Sequence, residues 1–144
     1  MKSIIEEFKR CYGNFLALEL SDLSGLYAEQ VQFTDPIHQL EGLADMCAYF
    51  EHSRQGLNYC CFDFGAQLQD VGSKYAALQW VMRFSHPRLA KGREQCLPGV
   101  SWLTIEEKIV VHRDYYDLGA MLYEPIPVLG SIIKAIKARL GAYR

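Results

Sequence analysis

Lys108-Ile-Val-Val-His-Arg-Asp-Tyr-Tyr-Asp-Leu118 is the stretch on which the fold turns. Val110, Val111, Tyr115 and Tyr116 are β-branched or aromatic, and neither Gly nor Pro interrupts the run before Gly119, so it is predicted to be a strand. Side chains on a strand alternate between faces. That places Val110, His112, Asp114 and Tyr116 on one side and Ile109, Val111, Arg113, Tyr115 and Asp117 on the other. A face that mixes His and Asp with Val and Tyr is either the wall of a polar-lined pocket or a solvated surface, and function follows from which it is.

Upstream, three further strand-like segments lead into this one. Cys60, Phe62, Phe64, Ala66 and Leu68 alternate, and Asp70-Val-Gly-Ser73 supplies a turn. Ala76, Leu78, Trp80, Met82 and Phe84 alternate next. His86-Pro87 closes that arm, residues 87–95 read as a solvated loop, and Cys96 to Ile105 forms the next strand, turned by Glu106-Glu107.

The first half of the chain reads as helices around one short strand. Ser3 and Glu6 have capping-box spacing, and Ile4, Ile5, Phe8, Cys11, Tyr12 and Phe15 recur as one apolar helical face. Ser21-Asp22 offers the N-cap of a short second helix with Leu23, Leu26 and Tyr27 inward. Val31-Gln-Phe-Thr-Asp35 then alternates, and Pro36 ends it. Val31, Phe33 and Asp35 share a face, so Asp35 is a carboxylate at the end of an apolar row. A third helix follows Gly42, with Leu43, Met46, Cys47 and Phe50 inward, and ends near Gly56.

Composition narrows the functional classes. The 144 residues suffice for one domain that buries roughly two-thirds of its unfolded surface without a staple. Half are hydrophobic, which excludes a disordered chain. A net charge of −2 gives no electrostatic reason to expect a nucleic-acid partner. The five Cys are an odd number without a C-x-x-C pair, so they read as reduced core residues rather than a disulfide or zinc framework. His38, His52 and His86 have no metal-ligand spacing and read as loop or surface residues. The charged N-terminus and the lack of any apolar run near 20 residues predict a cytoplasmic protein.

Helices first and four consecutive antiparallel strands after them give an α+β architecture, with the helices packed on one face of a curved antiparallel sheet. Helix, helix, a strand ending in Asp35-Pro36, helix and a strand meander together resemble the cone-shaped nuclear transport factor 2-like superfamily over about residues 3–120. That superfamily includes ketosteroid isomerases, SnoaL-type polyketide cyclases, limonene-epoxide hydrolases and scytalone dehydratases, along with non-catalytic binders. The resemblance implies a core domain over 1–124 holding a small hydrophobic ligand, and a homodimer formed through the outer sheet face, where Ile109, Val111 and Tyr115 are expected.

Phe33-Thr-Asp35-Pro36 is similar to the ketosteroid isomerase segment whose Asp moves a proton. A carboxylate desolvated in an apolar cone is a stronger base near neutral pH. In such isomerases a Tyr on the first helix and a protonated Asp on a later strand donate to the developing oxyanion. Tyr12 lies near the first position, and the second falls near Ser101, a hydroxyl rather than an acid. Lys108 to Leu118 resembles the last strand of limonene-epoxide hydrolases, whose water-activating Asp corresponds to Asp114, although no second Asp accompanies Arg83 in Trp80-Val-Met-Arg-Phe84. SnoaL-type cyclases also carry an Asp on a late strand with a His nearby, matching Asp114 and His112.

The resemblance therefore implies proton transfer without cofactor or metal, with Asp35 or Asp114 as base, His112 tuning or relaying, and Tyr12 as donor. Phe33, Trp80, Trp102 and Tyr116 are expected to line the pocket. The alternative is that Asp114 anchors Arg83 or Arg113, and that the chain is a non-catalytic binding or scaffold domain acting through its outer sheet face or its C-terminal helix. Residues 125–144 form a separate tail. After Pro125-Ile-Pro127, the residues Leu129, Ile132, Ile133, Ile136 and Leu140 make the apolar face of an amphipathic helix, and Lys134, Lys137, Arg139 and Arg144 make it basic. It reads either as a lid across the cone mouth or as a docking element for a membrane surface or partner.

Overall fold

The computed structural model describes residues 3–69, 72–123 and 127–142. The predicted turn at Asp70-Val71 and the expected domain boundary at 124/125 lie outside those residues, as does Arg144.

Helix α1 (Ile4–Gly13) starts where Ser3 Oγ accepts from the Glu6 amide at 3.1 Å. It buries Ile5, Phe8, Cys11 and Tyr12, the face that helical spacing picked out. Helix α2 (Leu20–Leu26) begins earlier than the sequence suggests, because Asp22 serves inside the first turn, taking the Glu19 amide at 3.1 Å, rather than capping it. Tyr27 leaves the helix and opens β1 (Tyr27–Thr34). A short β2 (Gln39–Glu41) follows, then α3 (Leu43–Ser53), β3 (Tyr59–Leu68), β4 (Tyr75–Ser85), β5 (Gln95–Ile105) and β6 (Ile109–Tyr116). A π-helical turn (Gly119–Tyr123) precedes α4 (Pro127–Gly141). At the entry to α3, Gly42 has φ of +92° while its amide bonds Val31 O at 2.8 Å, a backbone conformation that a side chain would strain.

All six strands form one open curved sheet in the order β2-β1-β6-β5-β4-β3. The pairs β3/β4, β4/β5, β5/β6 and β1/β2 are antiparallel, and β1/β6 is parallel. The parallel pair arises because β1 comes from the helical half of the chain and is inserted beside the last strand of the meander. Irregularities in β1 (Tyr27 to Gln32), β3 (Phe64 to Gln67) and between β5 and β6 (Thr104 to Ile105) bend the sheet, as bulges do. The concave face closes over α1, α2 and α3 around Phe8, Leu23, Met46, Leu78 and Leu103. No described helix is long and apolar enough to cross a membrane.

The β6 bulge corrects one expectation. Ile109 pairs with Ile105 and Val111 with Thr104, so Val110 is extra. Ile109 therefore turns into the core with no exposed surface instead of lying on the outer face. Beyond the bulge, His112, Asp114 and Tyr116 point inward and Arg113 and Tyr115 outward, as alternation requires. The bulge in β3 likewise leaves Leu68 in solvent.

The described part of helix α4 does not lie across the cavity, the place a lid would take. None of its described residues lines the concave cavity, and Val128, Leu129, Ile132, Ile136 and Leu140 all stand exposed.

Candidate functional site

The open end of the cone holds a cavity of about 350 Å³, within the range of small-ligand pockets. Phe15, Phe33, Phe50, Phe62, Trp80 and Phe84 are among its lining residues. Asp35 and Asp114 both line it, from the end of β1 and from β6, as their strand faces predicted. Phe33, Trp80, Tyr116 and Tyr12 are there as expected. Trp102 is not. On β5 the inward positions are Leu97, Gly99, Ser101 and Leu103, so Trp102 points out, 43% exposed, with its ring 5.8 Å from that of Tyr75.

The two carboxylates are held differently. Asp35 has Oδ1 on the amides of Ile37 at 2.8 Å and His38 at 2.7 Å, and Oδ2 on the Tyr49 hydroxyl at 2.6 Å. Its side chain is 4% exposed, and its oxygens are taken up in closing the turn at Pro36 and holding Tyr49. Asp114 instead receives its two hydrogen bonds on Oδ1, from Ser101 Oγ at 2.5 Å and His112 Nε2 at 2.6 Å. Oδ2 has no protein donor among the described residues.

Behind Asp114 lies a buried polar chain. His112 Nδ1 is 2.8 Å from the Tyr27 hydroxyl, which is 2.7 Å from that of Tyr12. Burial pushes both phenols well above the ordinary tyrosine range, so both stay protonated. The donor order that satisfies every group runs from Tyr12 to Tyr27, from Tyr27 to His112 Nδ1, and from His112 Nε2–H to Asp114. The chain thereby places a proton of His112 on Nε2 and leaves Nδ1 to accept. On the other side, Trp80 Nε1 donates to Ser101 Oγ at 2.9 Å, so the serine directs its own proton to Asp114. No buried side-chain N or O among the described residues lacks a partner.

Neither arginine offered as a partner for Asp114 reaches it. Arg83 pairs with Asp63 at 2.5 Å and Glu94 at 3.4 Å, and Arg113 lies over the Tyr115 ring on the outer face. Tyr27, Tyr49 and the structural use of Ser101 are not visible in the sequence as site residues. Tyr27 reads there as a helical core residue, and phenols carry no spacing signature. His38 and His52 are exposed, as expected of loop or surface residues, and both also line the cavity. Burial, and then the hydrogen bond to Asp35, raise the Tyr49 phenol; burial also raises Tyr116, whose hydroxyl has no protein partner among the described residues. Among the described residues no three His, Cys, Asp or Glu side chains are placed to share a metal ion.

The SnoaL-like domain family matches residues 8–112. This chain belongs to that family. Among solved structures, the SnoaL-like domain is similar to a nuclear transport factor 2-like protein of unknown function from Burkholderia pseudomallei K96243. The identity is 16% and the TM-score 0.71, over 85% of this chain and 96% of that one. It is also similar to a protein from Jannaschia sp. CCS1 provisionally named a SnoaL-like polyketide cyclase, with 12% identity and a TM-score of 0.72, over 87% and 92% of the two chains. A third is TerC co-crystallised with polyporic acid, with 16% identity and a TM-score of 0.68, over 82% of this chain and 94% of that one. At such identities the likeness shows the fold. No curated protein matches the sequence.

Proposed function

We propose that this SnoaL-like domain binds a small, largely apolar carbonyl compound and moves a proton on it without a cofactor, as an isomerase or cyclase does. The observation that carries this reading is Asp114: a carboxylate facing an aromatic cavity, with one oxygen pinned by His112 and Ser101 and the other open. In the proposed step, Oδ2 of Asp114 takes a proton from a carbon next to the carbonyl. The C–H electron pair becomes the C=C bond of an enolate as the carbonyl π pair moves onto oxygen, and the Tyr116 hydroxyl donates to that oxygen. Return of the proton to another carbon gives isomerisation; attack of the enolate carbon on a second carbonyl closes a ring, and the proton held by Asp114 passes to the alkoxide so formed.

His112 acts through Asp114, as a positioning residue. Tyr12 contributes its ring to the wall, while its hydroxyl is committed to Tyr27, so Tyr116 takes the donor role that the family resemblance gives to Tyr12. Asp35 shapes the rim and holds Tyr49. Polyporic acid on TerC, a bound small molecule in a domain of this fold, supports a ligand of that kind.

The test uses 5-nitrobenzisoxazole, which a carboxylate base opens by removing one C–H proton as the N–O bond breaks, and 2-naphthol as a competing ligand. The reading predicts base-catalysed opening that saturates and is inhibited by 2-naphthol. Binding of 2-naphthol with no acceleration would leave the non-catalytic binder as the function.

We further propose that a second copy covers the outer sheet face. Tyr75, Val81, Trp102 and Tyr115 are exposed there, apolar area of the kind that marks interfaces.

A further inference from the structure

Helix α4 carries its apolar residues on the side turned away from the protein. Val128, Ile132, Ile136 and Leu140 recur every four residues and are 74%, 53%, 53% and 79% exposed; Leu129, beside them, is 39% exposed. The helix rests on the body by its other side, where Gly130 is buried, Ile133 is half-buried and Lys137 Nζ bonds the Asp117 carboxylate. A surface helix of a monomer would present the reverse arrangement.

Charge decides what covers this stripe. Every Asp and Glu of the chain lies at or before Glu124, while Lys134, Lys137 and Arg139 belong to α4. Arg139 projects within the stripe itself, three residues beyond Ile136 and seven beyond Ile132, so a protein partner seated there would have to bury its guanidinium. A second copy of α4 would bring a second guanidinium to meet it. At a bilayer interface the same side chain reaches up to phosphate while its methylenes and the neighbouring Ile and Leu enter the acyl boundary. The acidic remainder of the chain is repelled by the same anionic surface, which orients the body outward.

We infer that α4 is an interfacial anchor that lays Val128, Ile132, Ile136 and Leu140 into an anionic lipid surface. It is joined to the cavity through the π-helical turn, whose Met121 lines the cavity, so an anchored domain holds its cavity rim close to the lipid. The inference is independent of the chemistry proposed for Asp114.

Full-length protein is floated with phosphatidylcholine vesicles, with or without phosphatidylglycerol, at low salt. Binding is expected only with phosphatidylglycerol. The variants Ile132→Ser with Ile136→Ser, and Lys134→Glu with Arg139→Glu, each bind at least about tenfold more weakly. Their circular dichroism and thermal unfolding are unchanged, because all four side chains are exposed and outside the cavity. Failure of the wild-type chain to float with anionic vesicles overturns the inference. So does a dimer that the Ile132→Ser, Ile136→Ser variant dissociates, which would give the stripe to a second copy.

Discussion

Ser101 accepts from Trp80 and donates to Asp114, so removing its hydroxyl strands a buried indole N–H and strips one donor from the carboxylate. Ser101→Ala is expected to cost about 1–3 kcal/mol in urea unfolding, since an unsatisfied buried donor keeps its desolvation penalty. A change within about 0.5 kcal/mol would show that water replaces the hydroxyl. The cysteines separate on the same logic. Burial pushes the Cys60 thiol up to about 12, while Cys96 is exposed. In the folded protein an aromatic disulfide reagent should label Cys96 readily and leave Cys60 untouched until denaturant is added. At this scale the sequence is informative where chemistry and strand parity agree: Asp35, His112, Asp114, Trp80 and Tyr116 all fall on the face that alternation assigns them. It is silent on which carboxylate is free, because that depends on Tyr49 and Ser101 arriving from other elements.

Strands β4 and β5 show how pairing adds what one strand cannot. Trp80 lies opposite Gly99, and a Cβ on Gly99 would overlap the indole ring. Trp80 is 3% exposed and tied by Nε1, so it has nowhere to move. Gly99→Ala should destabilise by about 1–3 kcal/mol and shift tryptophan fluorescence, whereas Gly25→Ala, with open space around it, should leave the fluorescence unchanged. Parity fails where a bulge intervenes. Ile109 enters the core because Val110 is extra, and no residue type in Lys108 to Val111 announces that. Trp102 departs from expectation for a simpler reason: its aromatic character suggests the pocket, while the alternation of its own strand turns it outward.

The attachment of α4 should depend on pH through Asp117. Lys137, and after it the Ala120 amide, hold that carboxyl below the usual range. A depressed folded value means that the contribution is present above the unfolded carboxylate pKa, near ~4, and is lost as pH falls through the folded value below it. Both partners are about half exposed, so the pair is worth under about 1 kcal/mol. Hydrogen exchange in α4 should therefore lose protection, after correction for intrinsic rates, between neutral pH and the low end of the carboxylate range. Asp117→Asn should show the loose state at neutral pH, and a pH-independent α4 would contradict the tether.

Across the molecule, the cone, its helix-lined concave face and its open cavity follow from an order of elements legible in the sequence. The parallel β1/β6 pair and the short β2 are not legible there, because both depend on where distant segments meet. The outer face gives a whole-molecule prediction. Light scattering should find a dimer that Trp102→Asp dissociates, and a monomer at high concentration would contradict it. The cavity carries the central claim, that the two carboxylates on its wall have different work. The most direct measurement compares kcat/KM for opening of 5-nitrobenzisoxazole in Asp114→Asn and Asp35→Asn, with 2-naphthol binding as the control for an intact cavity. The account predicts a loss of at least about 10²-fold for Asp114→Asn and less than about tenfold for Asp35→Asn, with binding retained in both. An equal loss in the two variants, or a larger one in Asp35→Asn, would contradict it.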